Sequence, residues 1–146
     1  MGVYKGSSVF FYNAPFVTFG VAGAAGSEQS FTLQTQSDAD FECQKLMSNV
    51  ALQLTNIVTN NTLEVLQGLH YPALTLQIVD TNTGEQWFSQ PTSIPNVCGV
   101  AQTPMILPQT KLISRSTSLL ITVKNLYTNE AFALVNITLF GRKLYR

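Results

Sequence analysis

Ser118-Leu119-Leu120-Ile121-Thr122-Val123-Lys124-Asn125 and, after a polar turn, Ala131-Phe132-Ala133-Leu134-Val135-Asn136-Ile137-Thr138-Leu139-Phe140 decide the fold class of this chain. In the first segment Leu119, Ile121 and Val123 share one face, with Thr122 and Lys124 on the other. In the second, Ala133, Val135, Ile137 and Leu139 alternate with Asn136 and Thr138. Period-two alternation in β-branched residues predicts strands with one buried face. The break at Tyr127-Thr128-Asn129-Glu130 predicts that the two form an antiparallel hairpin.

Working back along the chain, the same pattern recurs. Phe31-Thr32-Leu33-Gln34-Thr35-Gln36 alternates cleanly, and Ser37-Asp38-Ala39-Asp40 is a turn rich in carboxylate and hydroxyl acceptors. A second strand follows from Phe41 to Met47, with Phe41, Cys43 and Met47 expected inward, and Asn49 to Leu54 extends it. Residues 56–69 allow either a short helix with Leu63 and Leu66 on one face or a variable loop. Leu74, Leu76 and Ile78 open a hairpin that turns at Asp80-Thr81-Asn82-Thr83-Gly84-Glu85 and returns through Trp87-Phe88. Pro91, Pro95, Pro104 and Pro108 then place the chain along a sheet edge or across the top of the fold, because proline removes a ladder donor. Lys111-Leu112-Ile113 adds a short strand. The count, roughly seven or eight strands, predicts an all-β, antiparallel sandwich or barrel over 30–146.

Residues 1–29 read differently. Phe10, Phe11, Tyr12, Phe16 and Phe19 crowd a short span that runs into Gly20-Val21-Ala22-Gly23-Ala24-Ala25-Gly26. Exposed aromatics need a cover and a flexible backbone costs entropy to order, so an extended arm packed on another subunit is one reading. An ordinary first strand over Val9 to Tyr12 is the other. The glycine spacing is GxxGxxG, which matches no phosphate-binding loop.

Composition narrows the function classes. Of 146 residues, 45% are hydrophobic and only 11% charged, and the formal net charge is +0, so there is no electrostatic footprint for nucleic acid. Ser, Thr, Asn and Gln take the place of the missing ions, and such a surface desolvates cheaply against other protein. Cys43 and Cys98 have no metal-ligand spacing and read as buried free thiols. No secretory signal and no apolar window of membrane length are evident. His70 is the single histidine and lies at a loop–strand junction, where a structural role is expected. Asp38, Asp40 and Glu42 form an acidic cluster that lacks the glycine and bidentate glutamate of a calcium loop. Trp87 with Phe88 admits a carbohydrate-platform reading. No catalytic constellation, cofactor or metal is expected. The candidate interface residues are Phe10, Phe11, Tyr12, Phe16 and Phe19, together with the C-terminal basic group Arg142, Lys143 and Arg146.

The segments Gly99-Val100-Ala101-Gln102-Thr103-Pro104-Met105-Ile106-Leu107-Pro108, Ser118 to Leu126, and Val135-Asn136-Ile137-Thr138-Leu139-Phe140-Gly141-Arg142-Lys143-Leu144 together resemble small β-sandwich virion proteins of tailed bacteriophages. The likeness runs from Leu74 onward. It implies a jelly-roll-like sandwich and a non-enzymatic structural protein that decorates or cements the capsid, or builds the neck, collar or tail. The partners so implied are the major capsid protein or neck and tail proteins, and further copies of itself, within a virion assembled in bacterial cytoplasm.

Overall fold

The structure, a computed structural model, describes residues 4–19, 27–53, 64–65, 74–100, 102–126 and 131–146. Its elements are β1 (Gly6–Phe19), β2 (Glu28–Gln34), β3 (Asp40–Gln53), β4 (Glu64–Val65), β5 (Leu74–Asp80), β6 (Thr92–Ser93), α1 (Ile94–Val97), β7 (Met105–Ile113), β8 (Ser118–Asn125) and β9 (Ala131–Tyr145).

One sheet runs β1-β9-β3, with the far flank of β3 shared by β7 and β4; the other runs β2-β8-β5-β6. Among the described residues every pairing between these strands is antiparallel, and one isolated bridge, Met47 to Gly99, is parallel. Leaving aside the two-residue β4, the two sheets have the orders β1-β9-β3-β7 and β2-β8-β5-β6, the strand order of a jelly roll. The expected all-β antiparallel sandwich is therefore present.

The expected final hairpin is not. β8 lies between β2 and β5 in the second sheet, whereas β9 lies between β1 and β3 in the first. Alternation reports which face of a strand is buried, and two strands facing one core from opposite sheets alternate just as paired neighbours do. Leu119, Ile121 and Val123 of β8 thus share a core with Val135, Ile137 and Leu139 of β9, all fully buried, but from opposite layers.

Two irregularities move side chains off the simple alternation. Between Cys43 and Lys45 the register of β3 shifts against both β9 and β7. Cys43 and Leu46 consequently point inward, and Met47, expected inward, pairs with Thr138 on the outside. A second shift, between Ala51 and Leu52, accompanies the burial of Phe132 where alternation pointed to Ala133.

Gly141 faces the first bulge: a Cβ there would fall on the carbonyl oxygen of Glu42, so only glycine lets β9 approach β3 so closely. At the other tight point Gly84 adopts φ 76° in the 80–86 turn, where Asp80 Oδ1 accepts the Asn82 N–H at 2.9 Å. Trp87 N–H then donates to Ile78 O at 2.9 Å, but the expected return strand is reduced to a single bridge, Val79 to Gln86, and β6 rather than Trp87-Phe88 pairs with β5.

Residues 6–19 are not an arm. They form β1, paired with β9 along its length from Gly6↔Tyr145 to Phe19↔Phe132. Tyr12, Ala14 and Phe16 belong to the core. The aromatic cluster alternates: Tyr12 and Phe16 turn into the core and Phe11 turns outward. Pro15 sits here without breaking a ladder, because β1 is an edge strand. The proline-rich stretch behaves as expected: Pro95 lies in the first turn of α1, and Pro108 lies in β7, at the rim of the first sheet. Of the ambiguous segment 56–69, the described Glu64–Val65 pairs in extended form with β3.

Candidate docking face

The register of the first sheet defines its outward face row by row. One row reads Val9, Arg142, Glu42, Leu112 across β1, β9, β3 and β7. The next reads Phe11, Phe140, Lys45, Ile106. Further along, Asn13, Thr138 and Met47 follow, and Val17 stands opposite Leu134. On this face Val9 is 61% exposed, Phe11 53%, Val17 58%, Ile106 64% and Leu112 59%, so apolar side chains meet water at both flanks, β1 and β7.

The middle of the face is held by pairwise contacts. Arg142 Nη2 donates to Glu42 Oε1 at 2.9 Å, and Gln44 Nε2 donates to the same oxygen at 2.9 Å. The Gln44 amide and then the Arg142 guanidinium hold the Glu42 carboxyl below its ordinary range. Phe11 and Phe140 pack at 4.7 Å between centroids, and Lys45 Nζ lies 5.2 Å from the Phe140 ring.

The outward face of the second sheet differs in kind. It carries Glu28, Ser30, Thr32 and Gln34, all exposed, and Ser30 and Thr122 hydroxyls bridge β2 and β8 at 3.0 Å. The first sheet turns out aliphatic and aromatic side chains around a few charges, the second mainly hydroxyls and amides.

Against this geometry the candidate interface residues separate. Phe11 is on the docking face. Phe10 is half-buried beneath Lys143, whose Nζ lies 4.1 Å from its ring centroid. Tyr12 and Phe16 are core, and the Tyr12 hydroxyl accepts the Gln36 N–H at 2.9 Å. Phe19 ends β1 opposite Phe132.

The basic C-terminal residues do not form one patch, because successive strand residues point to opposite faces. Arg142 is outward with Glu42. Lys143 is inward, 4% exposed, and bonded to Asp38 at 3.2 Å and to Gln36. Arg146 reaches Asp40 at 2.9 Å.

Asp40 gathers the chain ends at one corner. Its carboxylate is 2% exposed and accepts from the Tyr4 hydroxyl (3.0 Å), the Arg115 backbone N–H (3.0 Å) and Arg146 Nε (3.1 Å). Burial alone would raise its pKa. The Arg115 N–H, the Tyr4 hydroxyl and Arg146 outweigh burial and lower it. Asp38, Asp40 and Glu42 thus each face a cation. Among the described residues no group of three or more His, Cys, Asp or Glu side chains is arranged to hold a metal ion.

An open depression of about 560 Å³ beside this corner is lined by residues 34–38 and Ser116, and its carboxylate, Asp38, is committed to Lys143. Cys43 and Cys98 are free and buried. Burial pushes the Cys43 thiol up to about 12. Burial, with Cys43 nearby, does the same to Cys98, also to about 12. Trp87 is half-buried against the core with Lys111 Nζ 5.7 Å from its ring. His70 lies outside the described residues.

The residues that sequence reasoning missed are Val9, Val17, Ile106 and Leu112. Their signal was present: Val9 to Tyr12 is apolar at both parities, which a half-buried edge strand does not need.

Fold and face together define a jelly-roll domain that presents a sheet face to its surroundings. No protein-family model matches the chain, and no curated protein matches it. Among solved structures it is similar to dimeric latent PorU from Porphyromonas gingivalis, with 8% identity and a TM-score of 0.39, over 95% of this chain and 13% of that one. A likeness at that level carries no argument about what this chain does. Among the described residues no helix is long and apolar enough to cross a membrane.

Proposed function

We propose that the chain is a structural protein of a tailed-phage virion, docking on the capsid shell or on further copies of itself through the outward face of β1-β9-β3-β7. The observation that carries this reading is the set of exposed apolar side chains on that face, Val9, Phe11, Val17, Ile106 and Leu112, on a chain with few charges. Exposed apolar side chains of this kind, flanking a few paired charges, mark a protein-binding surface. The jelly-roll strand order supports the virion setting, since capsid domains use it, and the resemblance of the segments from Leu74 onward points the same way. Lectins share the topology as well. The docking reading is favoured over a glycan platform because Trp87 is half-buried and the large hydrophobic side chains exposed on the face are mainly aliphatic.

The reading is tested in purified particles by quantifying copies of the chain with and without Phe11→Asp. The side chain is outward and 53% exposed, so the variant should melt within a few degrees of the parent, while its recovery in particles falls at least about tenfold. Undiminished recovery of the folded variant refutes the face as the docking surface. Copy number in the same measurement separates shell decoration, with many copies, from a neck or collar position, with few.

A further inference from the structure

We propose that the outward face of the first sheet pairs with the same face of a second copy of this chain, about a two-fold axis that runs along the strands between β9 and β3. The inference rests on the docking reading above and names its occupant.

The argument is the order of residues within the rows. The first row reads aliphatic, cation, anion, aliphatic: Val9, Arg142, Glu42, Leu112. An axis along the strands reverses this order in the facing copy. Arg142 then stands over Glu42 of the second copy, Glu42 over Arg142 of the second copy, and Val9 over Leu112 of the second copy. The existing pair at 2.9 Å becomes half of a ring of four alternating charges.

The second row behaves alike. Phe11, Phe140, Lys45 and Ile106 reversed puts Lys45 over the Phe140 ring of the second copy and Phe11 over its Ile106. Two adjacent rows are thus self-complementary under one operation. An axis across the strands at the first row would instead set Arg142 on Arg142 and Glu42 on Glu42. Facing sheets pack about 10 Å apart and within about 30° of alignment, and on β1 and β9 the two rows are about 7 Å apart, so both stay in register there. On β7 the residues between Ile106 and Lys111 bulge out of the pairing with β3.

The area is adequate as well. The exposed parts of Val9, Phe11, Val17, Ile106 and Leu112 sum to on the order of 500 Å² of mostly apolar surface, which with the central row residues approaches the roughly 800 Å² per partner of a standard interface.

The test uses the full chain and light scattering across a concentration series. The parent should show a mass of two chains, each 16.0 kDa, that falls to one on dilution. Glu42→Arg alone, or Arg142→Glu alone, puts four like charges in the ring, and each should weaken self-association at least about tenfold. An equimolar mixture of the two variants should restore the two-chain mass, because one copy then supplies both cations and the other both anions. The substituted side chains are 22% and 45% exposed, so a native circular dichroism spectrum is expected of both. Phe11→Lys, which sets a cation over Ile106 of the second copy, serves as a further variant should either fail to fold, and should also run as a single chain.

A parent that stays a single chain at every concentration overturns the pairing. So do single variants that remain two-chain, or a mixture that stays single. None of these touches the docking reading, which falls only if Phe11→Asp leaves particle incorporation intact.

Discussion

Gly141 and Asp40 show how much of this fold hangs on single side chains. At Gly141 the missing Cβ is what lets β9 lie against the bulged part of β3, since any side chain would meet the Glu42 carbonyl. Gly141→Ala should therefore lower the unfolding free energy by about 2–3 kcal/mol, as overpacking against backbone does, and a urea titration would measure it. Asp40 is depressed in the folded state, so its contribution is complete above the ordinary aspartate value of about 3.9 and is lost as pH falls through the lower folded value. Stability should then drop as pH is lowered below about 4, with Glu42, depressed in the same direction, adding to the slope. Asp40→Asn should be less stable at pH 7 by roughly 2–3 kcal/mol and show a shallower acid slope; thermal melts from pH 7 to pH 2.5 compare the two. An unchanged slope would show that the corner where Tyr4, Arg115 and Arg146 converge is not held by this carboxylate.

At the scale of the element, β1 carries two separable tasks. Its even positions, Tyr12, Ala14 and Phe16, complete the core, and its odd positions, Val9, Phe11 and Val17, face water. Phe16→Ala should cost about 3–5 kcal/mol as a buried aromatic, while Phe11→Asp two strand-turns away should cost little. A chain begun after β1 should lose cooperative unfolding in circular dichroism, because it would open β9 along its length and uncover Val135, Ile137 and Leu139. The sequence shows the aromatic cluster plainly. It does not show the parity that divides the cluster, because Phe10-Phe11-Tyr12 is apolar at every position and parity is set by which strand β1 lies beside.

For the molecule as a whole, the two sheets share one core and differ outside it. The second sheet turns Ser30, Thr32 and Thr122 outward, where hydroxyls are well hydrated, and the first turns out Val9, Phe11, Ile106 and Leu112. The proposed docking would for that reason be directional, through a surface distinct from the residues that hold the fold. The basic group at Arg142, Lys143 and Arg146, which looks like one patch in the sequence, is dispersed to an outward pair, an inward ion pair and the Asp40 corner.

Strand positions, the all-β class and the buried parity of β8 and β5 follow from alternation, which is a local property of a chain that must hide every second side chain. Which strands pair is not local. β8 and β9 have the pattern of a hairpin yet lie in opposite layers, and the bulge at Cys43 to Lys45 inverts the parity of Met47 through a contact with Gly141, nearly a hundred residues on. The outward face proposed for docking exists only as rows that cross four strands, so it came into being when the sheet assembled and is not a motif of any one segment.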